Sequence, residues 1–418
     1  MIHSVNQNQT RILGIISNLQ FFCLCLLALT LPLLEAPKNI AYVLYLIVWT
    51  VRLSLFGTDG IKTGPYDLIL AVFVGGNLIT SLGAFIKGFS ISGISDILRY
   101  SLIGWMLLHT SLSNRRVYII LSLLLLSTVM GIGWGYWDLS RGNTEFFELH
   151  SVGHVNHSSI FILLIIGSML PFLFFRKLNL WKYILVGSIF LVLFGALLET
   201  DSRATIIGFV FILIFYVGMA VMHHRKLAIL TLALIIGFGG YSVWTPPKVF
   251  YKFQSRAHEF ENQLTPREKI WNVAWLAWKK EPIFGIGYRN YKDLNANRVQ
   301  NWYRESGRNF SDDSKYLYTT HAHNRYLNTL VEGGVVGLFS LLFLFVGVGF
   351  VLWDKRAIVL KPGCGMTAWL VGFYTLASTV VVGLFNTTLH HEHAILAMIL
   401  LVLSYKQFSS ECARKKHL

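Results

Sequence analysis

Charge is scarce in this sequence. Asp, Glu, Lys and Arg make up 14% of the 418 residues against 54% hydrophobic, with a mean hydropathy of +0.55. An ordinary soluble globular protein of this size carries more charge and fewer apolar residues, so that class is excluded. Cysteine is scarce as well. Cys23, Cys25, Cys364 and Cys412 show no paired spacing, which argues against a disulfide framework or a thiolate metal site. Acidic residues number 21 against 36 basic, a net charge of +15. In a soluble protein that balance would raise nucleic acid as a partner; here topology explains much of it, and no nucleic acid is expected. No internal repeat, low-complexity tract or cleavable signal stands out. The first apolar run, 12–34, is too long for a signal segment and has no small-residue cleavage site after it, so it reads as a first membrane span.

What is abundant is apolar length. About 20 residues of helix cross roughly 30 Å of hydrocarbon. Runs of that order recur at 12–34, 39–56, 66–86, 93–111, 117–136, 158–175, 180–198, 204–222, 227–244, 327–352, 366–385 and 392–406. The expected fold class is all-α, a polytopic membrane helical bundle of about twelve transmembrane helices. Residues 1–244 hold spans one to nine, 245–325 form one large loop with amphipathic helices, and 326–418 hold spans ten to twelve and a tail. Arg115 and Arg116, Arg176 and Lys177, Arg225 and Lys226, then Lys355, Arg356 and Lys361 all follow even-numbered spans, as does the basic tail. The positive-inside rule assigns that face to the cytoplasm and the large loop to the outside, the periplasm in a Gram-negative cell. Residues 245–322 of the loop carry 13 basic residues against 8 acidic ones, and such long loops translocate regardless of charge, so its positive balance needs another reason.

Within the loop, TPREKIWNVAWLAWKK predicts a capped helix. Thr265 caps it, Pro266 takes the first position and Glu268 completes a capping box. Trp271, Trp275 and Trp278 recur at helical spacing as one aromatic face suited to a membrane interface. Pro282, Gly285 and Gly287 end the helix in a tight turn, and 288–309 reads as polar, flexible chain. Arg267 lies in the first helical turn, where a cation opposes the helix dipole; it is either a solvated arginine or an anion ligand. Arg203 stands at the external mouth of span eight, with Glu199 and Asp201 near it in ETDSR, and either pairs with them or grips a phosphate through its planar fork. His321 and His323 precede span ten, and an extended lead-in would aim them to opposite sides, so that one of them faces a cavity. Asn324 could bind a sugar or orient the imidazole. Gly333, Gly334 and Gly337 allow a neighbouring helix to approach closely.

Arginines and a histidine with hardly any acidic pair suit transfer from a donor whose leaving group is already a phosphate. Cations stabilise that leaving group, and a neutral imidazole accepts the proton of an attacking hydroxyl. The first external joint, LLEAPKNI, holds one glutamate and no Asp pair, so metal-free chemistry is expected and no cofactor. His150, His154 and His157, and His390, His391 and His393, fall on the same external face, but the sequence brings no carboxylate or cysteine demonstrably close enough to complete a metal set; no metal site is expected.

His323 and Asn324, nine residues, then Gly334 and Gly337 resemble the motif of bacterial O-antigen ligases of the lipopolysaccharide pathway. Arg267 before the Trp-rich helix with its Pro-x-x-Gly-x-Gly exit, Arg203 after span seven and the twelve-span layout resemble the same family. The resemblance implies a GT-C-like glycosyltransferase of the inner membrane acting at the periplasmic face. It would move O-antigen polysaccharide from undecaprenyl pyrophosphate to lipid A-core oligosaccharide, with inversion and without metal or nucleotide. His323 would be the base, Arg203 and Arg267 the pyrophosphate ligands, and His321, Asn324 and Arg325 further candidates. O-antigen polymerases and protein O-oligosaccharyltransferases share the superfamily. The histidine-to-glycine spacing favours the ligase over the polymerase, and the short stretch after span twelve disfavours the protein-glycosylating members. A transporter of an anionic lipid or saccharide also fits the basic mouth, and would be expected to show inverted repeats or broken helices.

Overall fold

Backbone groups in hydrocarbon find no water to bond, so apolar runs of this length fold as helices. The computed structural model describes residues 7–58, 61–175, 178–223, 264–305, 313–357 and 364–416. These hold α1 (Gln7–Thr30), α2 (Glu35–Phe56), α3 (Pro65–Ile86), α4 (Ile94–His109), α5 (Asn114–Ser140), α6 (Val155–Phe175), α7 (Leu180–Glu199) and α8 (Arg203–His223). After them come α9 (Pro266–Lys280), α10 (Ala296–Glu305), α11 (Arg325–Asp354), α12 (Cys364–Gly383) and α13 (His391–Lys416), and no strand among the described residues. The protein is a polytopic helical membrane protein, with eight described helices long and apolar enough to cross a bilayer. Eleven of the expected spans coincide with helices; the ninth, 227–244, lies outside the described residues, as do Arg176, Lys177, Arg225, Lys226 and Lys361.

Burial separates the helices. In the most apolar stretch of α6, 78% of residues are buried, and in α12 72%, against 17% in α2 and α7. A helix apolar on every side belongs in the interior, so α6 and α12 form the core of the bundle while α2 and α7 turn apolar side chains outward. Alternating helix direction brings the α1–α2, α3–α4, α5–α6, α7–α8 and α12–α13 joints to one end. Lys38 of α2 ties that end together: its ammonium pairs with Glu35 and Glu392 and donates to Ser151 Oγ at 2.8 Å. Ser202, before α8, donates to Asn156 Oδ1 of α6 at 3.4 Å.

The long loop docks on the same end with a small core of its own, built from Val273, Ala274, Ala277, Ile286, Tyr291, Leu294, Ala322 and Val331. The expected start of α9 is present. Thr265 Oγ1 accepts from Glu268 N at 3.1 Å and Glu268 Oε2 accepts from Thr265 N at 2.6 Å. Of the expected tryptophan face Trp275 and Trp278 stay together, their ring centroids 4.7 Å apart, while the helix buries Ile270, Val273, Ala274 and Ala277. Trp271 turns to the loop and donates to Ala322 O at 3.0 Å, Trp278 packs on the loop core, and Trp275 stays 46% exposed. Most of 288–305, expected as flexible chain, is ordered by a 3₁₀ turn at Tyr291–Asp293 and by α10.

The glycines of α11 receive this loop. At Gly334 (φ 60°, ψ −164°) the helix breaks. Two carbonyls freed by the break, Val331 and Glu332, accept from Ile286 N and Gly287 N at 3.0 and 2.9 Å. Beyond the break, Val335 N and Val336 N donate to Pro282 O and Ile283 O at 2.9 and 3.3 Å. The tight turn 282–287 thus repairs the broken helix. A Cβ on Gly334 would fall 2.1 Å from Ile283 O, so the close approach expected of a membrane helix is made chiefly by the loop backbone.

Candidate functional site

The histidine pair sits where the loop enters α11. His323 takes a left-handed backbone (φ 49°), which turns the chain so that the His321 and His323 rings lie together, their centroids 4.2 Å apart. The extended lead-in expected from sequence would have separated them; the positive φ is the physical reason it does not. Between them, Ala322 is held on both sides, its N–H donating to Asn328 Oδ1 at 3.0 Å and its carbonyl accepting from Trp271. Asn328 Nδ2 in turn donates to Glu332 Oε2 at 2.9 Å, and Glu332 Oε1 accepts from Tyr291 N at 3.2 Å. Buried polar groups need partners, and this chain supplies them while fixing where the imidazoles stand.

Burial pushes the His323 imidazole below its usual pKa, and the nearby Arg267 guanidinium and His154 ring push in the same direction. A neutral ring with a free lone pair follows, the state a general base requires. His321 is pushed further, to about 3, by burial and by His323, His154 and His391. Thr320 Oγ1 lies 2.9 Å from His321 Nδ1.

Arg267 and Asn324 meet at the end of α12. Arg267 Nη2 donates to Phe385 O at 3.2 Å, and Asn324 Nδ2 donates to Leu384 O at 3.0 Å. A guanidinium just past a helix C-terminus is favourable, which offsets its awkward place in the first turn of α9. Asn324 also caps α11, its Oδ1 accepting from Leu327 N at 2.9 Å. Arg203 is half-buried at the first position of α8, next to Ser202, which bonds the α6 entry.

A cavity of about 770 Å³ opens at this end. His321 and Arg325 line it, whereas Arg203, Arg267, His323 and Asn324 lie outside its lining. Arg325 is 5% exposed and brings a buried guanidinium to the wall. The cavity also gathers groups the sequence did not single out as a site. Arg99 of α4 and Arg289, the latter at φ 66°, flank Asp96, with closest contacts of 4.0 and 3.7 Å. Glu332, Glu392 and Glu35 add carboxylates, and His154, His157, His390 and His391 add imidazoles. Arg289 sits two residues after Gly287 in the exit of α9, a signal the motif carried. The other groups come from spans far apart in sequence.

A model of the family described as O-antigen ligase matches residues 188–342. The matched stretch runs from within α7 to within α11 and holds all six candidates: Arg203, Arg267, His321, His323, Asn324 and Arg325. No curated protein matches the chain.

Proposed function

We propose that the chain, whose residues 188–342 match the O-antigen ligase family, is a glycosyltransferase of that family moving O-antigen polysaccharide from undecaprenyl pyrophosphate to lipid A-core oligosaccharide. The reaction runs at the periplasmic face of the inner membrane, in a GT-C-like bundle whose basic loop end faces outward. An acceptor hydroxyl attacks the anomeric carbon of the donor sugar and gives its proton to the imidazole of His323. The bond from that carbon to the phosphate oxygen breaks with inversion, and undecaprenyl pyrophosphate leaves with the electron pair. Arg203 and Arg267 bind the pyrophosphate and stabilise the charge it gains, which removes the need for a metal in the transfer step. His321, Asn324 and Arg325 position the histidine loop and the donor.

The observation that carries this reading is the half-buried imidazole of His323, its pKa held down by burial and by Arg267, inside the matched segment. The test is a purified reaction with lipid-linked polysaccharide offered to two acceptors, lipid A-core and a second lipid-linked chain. Product on lipid A-core supports the ligase; product only on the lipid-linked chain makes the protein a polymerase. Arg203→Lys keeps charge but loses the planar fork and is expected to cut turnover severely. Wild-type turnover in that variant would remove Arg203 from the donor site.

The break in α11 at Gly334 is a feature the transporter reading anticipates. Its freed groups are satisfied by the loop turn instead of being presented to a passage, so the ligase reading is preferred. Flux of lipid-linked saccharide across vesicles without product formation would reverse that preference.

A further inference from the structure

His157, His390 and His391 lie outside the matched segment and have no part in the transfer step above. We propose that these three histidines bind one divalent transition-metal ion of the zinc class in the wall of the cavity. Each offers a ring nitrogen, and the three donor atoms lie within 4.8 Å of one another. On a tetrahedral ion with metal–nitrogen bonds of about 2.0–2.1 Å the donors stand about 3.4 Å apart, a distance that small ring rotations reach.

The histidines come from two places. His157 is in the first turn of α6; His390 and His391 stand where the α12–α13 joint becomes α13. Ring centroids are 5.5 Å apart for His157 and His390, 5.1 Å for His157 and His391, and 3.8 Å for His390 and His391. The joint turns back through two left-handed non-glycine residues, Leu389 (φ 51°) and His391 (φ 48°). Such conformations are strained for residues with a side chain and persist where the surroundings hold them, as at ligand clamps.

A second observation points to a ligand. The Nδ1 atoms of His157 and His390 are sealed from solvent and have no hydrogen-bond partner among the described residues. A buried polar nitrogen without a partner is costly, and a metal bond would satisfy it. His393, 1% exposed, stacks on His157 at 5.2 Å and accepts from His390 N at 3.2 Å, so it orients two of the ligands. Imidazole donors select zinc, copper or nickel over magnesium or calcium. Glu392 is committed to Lys38, which leaves the fourth coordination position to water or to an anionic group in the cavity. The ion would pin the entry of α6 to the α12–α13 joint.

The experiment uses the full chain in detergent, purified without a polyhistidine tag, stripped with chelator and desalted after incubation with zinc chloride or cobalt chloride. Elemental analysis is expected to find about one zinc per chain. Bound cobalt is expected to give the visible absorption of a tetrahedral or five-coordinate site. His157→Ala and His391→Ala should lose both signals, while His150→Ala, whose ring stacks on Trp134 at 4.7 Å in the same cavity, should keep them. Zinc should also raise the thermal midpoint of the wild-type chain and leave that of the two variants unmoved. No retained zinc in the wild type, or equal retention in His157→Ala and His391→Ala, overturns the site. The wild-type measurement decides even where a variant fails to insert. Neither donor nor acceptor is present, so the result stands apart from the ligase reading.

Discussion

Two groups of histidines reach the same end of the bundle and differ in their neighbours. His321 and His323 sit beside Arg267 on a loop braced by Asn328, whereas His157, His390 and His391 chiefly face one another across a helix joint. The first group lies within the matched segment and the second outside it. A nearby guanidinium disfavours the imidazolium and leaves a proton acceptor; a ring of converging nitrogens makes a ligand set. One side-chain type serves two chemistries because its surroundings differ.

The strongest way to break that contrast is His323→Ala. Losing a general base costs on the order of 10²–10⁴ in turnover, so single-turnover transfer should all but vanish while the protein still inserts. His390→Ala should leave far more transfer, and an equal loss would merge the two groups into one catalytic set. Next in size is Asn328→Ala, which strips the partner from Ala322 N and from Glu332 at once. Buried groups left unpaired cost about 1–3 kcal/mol each, which a denaturation midpoint reads, and turnover should fall because the histidine loop loosens.

Arg267→Gln sharpens the electrostatic half of the comparison. Arg267 holds the His323 pKa down, so removing its charge raises that pKa. The base works only when neutral; the acid limb of the pH–rate profile should therefore move to higher pH, and an unmoved limb would separate His323 from the rate. Stability follows the same sign. His321 and His323 have depressed folded pKa values, so the unfolded chain binds more protons and stability declines as pH falls below the ordinary histidine value of about 6.5.

The bundle was legible because membrane helices announce themselves by apolar length, and the start of α9 because Thr265, Pro266 and Glu268 form a local device. The loop core was not legible: Val273, Tyr291, Leu294 and Ala322 become neighbours only after a turn docks into a broken helix. The break itself was hidden, since Gly333, Gly334 and Gly337 read equally as a packing face. His157 and the His390–His391 pair lie far apart in sequence, and their meeting depends on how α6 packs against the start of α13. His323, Arg267 and Asn324 stood out, yet the left-handed turn that sets the two rings together leaves no clear mark in a sequence without glycine at that position.

Asn324 is where the smallest effect tells most. Sequence offered it as a sugar ligand or as a partner of the imidazole, but its amide caps α11 at Leu327 and donates to Leu384 O. Asn324→Ala removes both bonds, and loss of a cap costs about 0.5–2 kcal/mol, seen as a lower thermal midpoint. Asn324→Ser keeps a capping oxygen and loses only the link to Leu384, so stability should largely return, and turnover with it. A serine variant with normal stability but no transfer would mean that the amide touches substrate, and would move Asn324 from scaffold to site.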